Sequence, residues 1–170
     1  MLQTTERCTT NLVDYKKKGD SIGIAFFFAF KWFILDYMFK NVLFVEDEEI
    51  EQLKFRKIML KHFPKVNVIL ATNGEQALSL VNDDNLKLNM ILLDLNMPRM
   101  NGEEFLKLIN INRRLPVMVI TSSSNQTDID RIADLDVLGY FIKPLRLEEY
   151  ENMIMSIFSF CTKNQLIWKA

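Results

Sequence analysis

Five residues able to do chemistry stand where short apolar runs stop. Glu46 and Asp47 follow NVLFV (41–45), Asp94 ends LNMILLD (88–94), Thr121 ends PVMVIT (116–121), and Lys143 follows GYFI (139–142). Singly, each has an ordinary structural use: carboxylates near strand ends cap helices, threonine favours strands, and a lysine before a proline is commonly a solvated loop residue. Together, three acids, a hydroxyl and an ammonium point to one site. Carboxylates packed close together repel and raise one another's pKa unless a cation sits among them. Oxygen ligands with neither His nor Cys select a hard ion, and a site completed by water and a phosphate oxygen suits Mg2+. Asp94 is then placed to act as a nucleophile toward phosphorus, with the metal, Lys143 and Thr121 offsetting the added charge. The sequence holds no glycine-rich nucleotide loop, so the phosphoryl group is expected from a partner rather than directly from ATP.

The elements that must position these residues follow from periodicity. The runs 41–45, 66–71, 88–94, 116–121 and 139–142 are too short for helices and are bounded by turn residues, which predicts buried strands. Between and after them, 48–63, 74–83, 103–112, 126–136 and 147–160 have helical character. Asn73 with Gln76, Asn101 with Glu104, and Asn125 with Asp128 each resemble an N-cap with an N3 partner. In the last helix Leu147, Tyr150, Ile154, Ile157 and Phe158 mark one apolar face, and Met59, Met90, Met118 and Met153 read as core packing. Apolar strands alternating with helices predict an α/β fold, a (βα)5 doubly wound five-stranded parallel sheet covered on both faces. Ligands of such sheets bind beyond the carboxyl ends of the strands, where strand order reverses. Four strand ends would bring the five residues to that rim.

Composition sets the boundaries. A chain of 170 residues, 49% hydrophobic, 25% charged and with a net charge of −1, fits one domain with a real core and no polyelectrolyte bias. Cys8 and Cys161 lie near opposite ends, which argues against a disulfide framework and for a reducing, cytoplasmic setting. Residues 1–37 differ from the rest: the basic cluster Lys16 to Lys18 precedes an apolar stretch interrupted by Lys31 and Asp36. A membrane span needs roughly 20 mostly apolar residues, so this is a marginal span at best. Met38 stands directly before FKNVLFVEDEE, so 1–37 reads as an upstream extension to a domain over 38–163, or else as a weakly membrane-associating segment. Residues 164–170 read as a short tail. His62, the sole histidine, reads as a solvated side chain with no phosphohistidine role.

FVEDEE, LLDLNMPRMNG, VITSSS and GYFIKP, in this order and spacing over about residues 40–160, resemble the receiver domain of two-component response regulators. The resemblance implies the same (βα)5 fold, a flavodoxin-like three-layer sandwich. It also implies roles: Glu46 and Asp47 as the acidic pair, Asp94 as phosphoacceptor, Asn96 as metal ligand through its backbone carbonyl, and Thr121 as the switch hydroxyl. Tyr140 matches the aromatic position whose ring turns inward on activation, and Lys143 the lysine before a proline that the family usually holds cis. Ser122 fits a place where the family tends to have a small residue. About ten residues follow the last helix, which resembles the stand-alone receivers whose output is a protein contact rather than DNA binding. That contact would use the fourth helix, fifth strand and fifth helix, with Ile129, Ile132, Tyr140 and Tyr150 as contributors.

By the same resemblance the phosphoryl donor is a histidine kinase or phosphotransfer protein, the cofactor is Mg2+, and the target is a protein. Nucleic-acid and membrane contact are not expected, nor is enzymatic turnover beyond self-catalysed phosphotransfer and slow autodephosphorylation. Two alternatives stay open. One is a passive phosphate carrier in a relay. The other is a phosphatase of the haloacid dehalogenase type, which would need a second acid two residues after Asp94, where this chain has Asn96.

Overall fold

The computed structural model describes residues 39–109, 115–123 and 125–163, all within one compact unit, Leu35–Ala170. The expectations for 1–37 and 164–170 lie outside the described residues. In chain order the elements are β1 (Asn41–Val45), α1 (Glu49–His62), β2 (Asn67–Ala71), α2 (Gly74–Val81), β3 (Met90–Leu93), α3 (Gly102–Ile109), β4 (Val117–Thr121), α4 (Gln126–Ile132), β5 (Gly139–Ile142) and α5 (Leu147–Lys163). The five strands form one parallel sheet in the order β2-β1-β3-β4-β5. Strand order reverses between β1 and β3, the place where such sheets bind ligands. None of the described helices is long and apolar enough to cross a membrane.

The period-two pattern explains the layers. Leu43, Val45, Ile91, Leu93, Val117 and Val119 join Ala77 and Val81 of α2, Phe105 and Leu106 of α3, and Ile132 of α4 in one buried cluster. The alternate residues Phe44, Leu92, Met118 and Ile120 are also buried and point to the other face. There Phe44 packs on Phe55 of α1 at 4.3 Å between ring centroids, and Phe158 of α5 contacts Phe63 at 4.5 Å and Phe39 at 5.0 Å. Burial on both faces accounts for the near-continuous apolar runs of the central strands. At the amino end of the sheet, Asn89 Oδ1 accepts from the backbone N–H groups of Lys40 and Asn41, at 2.8 Å each, and pins the start of β1.

Cap chemistry follows the sequence in part. Asn101 and Glu104 form the full reciprocal pair, the N–H of Glu104 donating to Asn101 Oδ1 at 2.9 Å and that of Asn101 to Glu104 Oε2 at 3.0 Å. Asn73 accepts from Gln76 N–H at 2.9 Å, but the Gln76 side chain receives the Thr72 N–H instead of closing on Asn73. Asn125 accepts from Thr127 N–H, while Asp128 turns back to Ser123.

Several expectations need correction. The fourth helix stops at Ile132 rather than 136, because Asp134 and Asp136 are poor helix formers and the chain tightens into turns, Leu135 N–H bonding the Ile132 carbonyl. The third helix is helical to Ile109, and 110–114 lie outside the described residues. Leu147 leaves the apolar face of α5: it is 56% exposed, at the first residue of the helix. It lines a groove of about 430 Å3 with Ile50, Leu53 and Ile58 of α1. Ile132 and Tyr150 are core residues, not surface contributors, since their positions face the sheet. Met153 is half-buried, whereas Met59, Met90 and Met118 are core. His62 is not simply solvated: its side chain is 19% exposed and its Nε2 lies 2.5 Å from Glu151 Oε1, which also accepts from Lys61 at 2.7 Å. The described residues contain no cis peptide bond, so the Lys143–Pro144 bond is trans. The intrinsic preference at such a bond is only about 0.5–1 kcal/mol, and the local loop decides.

Candidate functional site

Register builds the site. Val45 pairs with Leu93, so Glu46 and Asp94 are the next residues along two adjacent strands, and Asp94 N–H donates to the Val45 carbonyl at 2.9 Å. Leu93 pairs in turn with Val119, and Thr121 with Ile142, so Thr121 and Lys143 arrive at the same edge. Lys143 N–H donates to the Thr121 carbonyl at 2.7 Å. Every strand end marked in the sequence therefore stands on one carboxyl edge of the sheet, with β1 and β3 ending side by side at the reversal.

Glu46 and Thr121 are fully buried, Asp94 is nearly so, and Asp47 is partly exposed beside them. Carboxylate oxygens of Glu46, Asp47 and Asp94 lie within 4.8 Å of one another. Lys143 reaches over the pair, its Nζ 2.5 Å from Glu46 Oε2 and 3.4 Å from Asp94 Oδ2. One ammonium facing three carboxylates leaves excess negative charge. At 4 Å two unit charges interact by about 4 kcal/mol near a protein surface, so the repulsion is not trivial. Burial pushes the Glu46 carboxyl up to about 7, against the pull of Lys143. Asp94 is raised for the same reason, with Lys143 and the Thr121 hydroxyl opposing. Lys143 loses by burial but gains more from Asp94 and Glu46, so its ammonium is held above the usual range. Three oxygen donors with surplus charge and an open side at Asp47 fit a hard divalent cation.

The hydroxyl of Thr121 has a defined direction. Its Oγ1 accepts from Ser123 N–H at 3.3 Å and from Asn96 Nδ2 at 3.4 Å. A hydroxyl has one proton and two lone pairs, so with both lone pairs engaged the proton remains to be donated, and the hydroxyl opposes the rise of the Asp94 carboxyl. Asn96 thus spends one of its two side-chain amide protons on Thr121. The ring of Tyr140 is half-buried against the core cluster, and its hydroxyl donates to the Ser123 carbonyl at 2.7 Å. Burial, then Asp128 and Asp94, raise its phenol.

Some of the machinery carries no obvious mark in the sequence. Ser123 was one serine among three, and only its place two residues beyond the strand-ending Thr121 hinted at it. Gln52 supports the first strand end, its Nε2 donating to the Glu46 carbonyl at 2.6 Å. Gly102, the first residue of α3, has a second task. A Cβ there would lie 2.5 Å from the Asp94 carbonyl oxygen and 2.8 Å from Leu95 Cα. The loop after Asp94 folds tightly enough to place Arg99 at a φ of 68°, a region costly for a side-chain-bearing residue.

The family described as response regulator receiver domain matches residues 42–155. Response regulator Rcp1 of Synechocystis sp. is 30% identical over 129 residues, 71% of this chain and 88% of that protein. The transcriptional regulatory protein CpxR of Escherichia coli is 32% identical over 120 residues, and the chain spans 49% of its length. Against the two-component response regulator ARR12 of Arabidopsis thaliana the chain spans 19%. Among solved structures, the phosphorylated cyanobacterial phytochrome response regulator RcpA superposes with a TM-score of 0.66 at 26% identity, covering 72% of this chain and 93% of that one. The Mn(2+)-bound form of Rcp1 gives 0.65 at 29% identity, covering 71% and 93%.

Proposed function

The chain belongs to the response regulator receiver domain family of two-component signalling, and from that premise we propose that it accepts a phosphoryl group on Asp94 from the phosphohistidine of a histidine kinase or phosphotransfer protein. The observation that carries the reading is the placement of the Asp94 carboxylate: at the sheet's carboxyl edge, 3.4 Å from Lys143 Nζ, and clustered with Glu46 and Asp47. Glu46, Asp47, Asp94 and the Asn96 carbonyl would hold a Mg2+ ion, with Glu46 acting through water because Lys143 occupies one of its oxygens. When bound, the ion supplies neutralisation of phosphoryl and carboxylate charge. That Rcp1 was solved with Mn2+ and RcpA in phosphorylated form supports both parts of the reading.

The residues divide the work. An Asp94 oxygen forms the bond to phosphorus as the donor's P–N bond breaks, and the departing imidazole keeps the electron pair and takes up a proton. Lys143 is within reach to shift from Glu46 toward a phosphoryl oxygen, and the Thr121 hydroxyl, whose proton is not spent in either of its bonds, can donate to another. Drawing Thr121 toward the phosphoryl group pulls on Ser123 and hence on Tyr140, which biases two arrangements of α4, β5 and α5. Exposed Ile142 and fully exposed Leu145 beside α5 offer that face apolar contacts in place of the buried Ile132 and Tyr150.

Acetyl phosphate with Mg2+ tests the acceptor. One phosphate per chain should be added, none in Asp94→Asn and far less in Lys143→Ala; undiminished labelling of Asp94→Asn would sink the assignment. Chemical-shift mapping with beryllofluoride tests the switch. Changes confined to the rim, with none along 126–150, would leave a passive phosphate carrier.

A further inference from the structure

Ser123 makes four hydrogen bonds that run to three parts of the fold. Its N–H donates to Thr121 Oγ1 at 3.3 Å, and its carbonyl accepts the Tyr140 hydroxyl at 2.7 Å. Its own hydroxyl donates to Asp128 Oδ2 in the first turn of α4 at 2.6 Å and accepts from Asn125 N–H at 3.2 Å. The first two bonds belong to the backbone, and any residue there could make them. The last two belong to the serine side chain. They are not needed to cap α4, because Asn125 already accepts from Thr127 N–H. What the side chain does is tie the peptide that receives Tyr140 to the helix that would move with it.

We propose that Ser123 is a positioning residue of the switch: its hydroxyl, bonded to Asp128, fixes the carbonyl that holds Tyr140 and thereby couples Thr121, Tyr140 and α4 into one unit. This rests on the receiver reading for its purpose, though not for its geometry. Asp128 is suited to the task because its other oxygen, Oδ1, faces Arg131 at a loose 3.7 Å and leaves Oδ2 to the serine. A carboxylate acceptor makes the Ser123 bond short and roughly twice as strong as a neutral one. The proximity of Asp128 to the Tyr140 phenol is consistent with the same packing. Without the tether the loop carbonyl is free to rotate, and Tyr140 loses a fixed acceptor.

The test uses the full chain with Ser123→Ala, Ser123→Thr, Asp128→Ala and the double variant Ser123→Ala/Asp128→Ala. The first readout, taken without any phosphoryl mimic, is the set of NMR contacts between the Tyr140 ring and residues 121–125. These should weaken in Ser123→Ala and in Asp128→Ala and persist in Ser123→Thr, which keeps a hydroxyl. The second readout is beryllofluoride affinity with Mg2+, expected to fall about threefold to tenfold in Ser123→Ala and to be restored in Ser123→Thr. The double variant should be no weaker than Ser123→Ala, since both changes cut one bond. Unchanged Tyr140 contacts in Ser123→Ala, or losses that add in the double variant, would overturn the proposal even if beryllofluoride binds normally. Wild-type chain that holds the Tyr140 contacts but binds no beryllofluoride would instead refute the receiver reading and leave the tether standing.

Discussion

At the scale of single residues, the strongest physical feature is a buried carboxylate that is short of positive charge. Glu46 has a folded pKa of about 7 against an ordinary value of 4.5. A carboxyl that holds its proton more tightly when folded contributes stability that is fully present below about pH 4.5 and is lost as pH rises to about 7. Glu151, kept below the usual range by Lys61 and His62, acts in the opposite sense, so a variant must isolate the effect. In metal-free buffer the melting temperature should fall between pH 4.5 and 7 more steeply in the native chain than in Glu46→Gln. Added Mg2+ should reverse the fall, because a cation replaces the proton. An equal slope in Glu46→Gln would assign the dependence elsewhere. Lys143 is the counterpart: Lys143→Met leaves Asp94 and Glu46 buried without their ammonium, a change that typically costs about 3–5 kcal/mol when one partner of a buried pair is removed. The loss should be larger at pH 8 than at pH 5, where Glu46 can protonate; denaturant melts at the two values would show it.

At the scale of elements, the loop from Asp94 to α3 is the most constrained connection. Gly102 lies against the carbonyl of Asp94 itself, and Gly74 at the start of α2 lies against Met100, whose carbonyl accepts the Gly74 N–H at 3.0 Å. The two glycines differ in what a methyl group would meet. At Gly74 the nearest atom is a flexible methionine side chain, although the Met100 carbonyl oxygen lies just behind at 2.8 Å; at Gly102 it is backbone next to the acceptor. Gly102→Ala should therefore lower both the melting temperature and the rate of labelling by acetyl phosphate, through displacement of Asp94. Gly74→Ala should cost mainly stability. Equal labelling rates for Gly102→Ala and the native chain would mean that the loop yields without moving Asp94. In α5 the buried Tyr150 hydroxyl has no hydrogen-bond partner among the described residues. Tyr150→Phe removes that unsatisfied group while keeping the ring, so thermal melts should find it neutral or more stable by up to about 1–3 kcal/mol.

At the scale of the whole molecule, the sheet is closed on both faces by helices that the described residues supply. At the amino end of one face Phe63 stacks on Phe158 and Phe39 meets it edge-on, and Asn89 holds the entry to β1. A chain begun at Met38 should keep the melting temperature and labelling rate of the full chain, as differential scanning calorimetry and acetyl phosphate labelling would show. A large loss of stability on truncation would mean that residues 1–37 contribute to the fold.

The sequence alone determined the elements and the rim. Strand runs such as NVLFV and ILLD are buried on both sides, so composition marks them without knowledge of neighbours, and a polar residue at the end of such a run must stand at the sheet edge. Glu46, Asp47, Asp94, Thr121 and Lys143 were legible for that reason. Tertiary structure decided what depends on which strands adjoin and in what register. The order β2-β1-β3-β4-β5 brings Glu46 beside Asp94 and lets Lys143 bridge them, and neither the order nor the distances can be read from one strand's pattern. It also decided the faces of short elements: Leu147 and Tyr150 carry the same helical period, yet Tyr150 is core while Leu147 is exposed in the groove beside Ile50, Leu53 and Ile58 of α1. Ser123 carries no mark in the sequence because its hydrogen bonds form only where β4, α4 and β5 converge, and a serine's partners are set by whatever donor and acceptor the fold brings near.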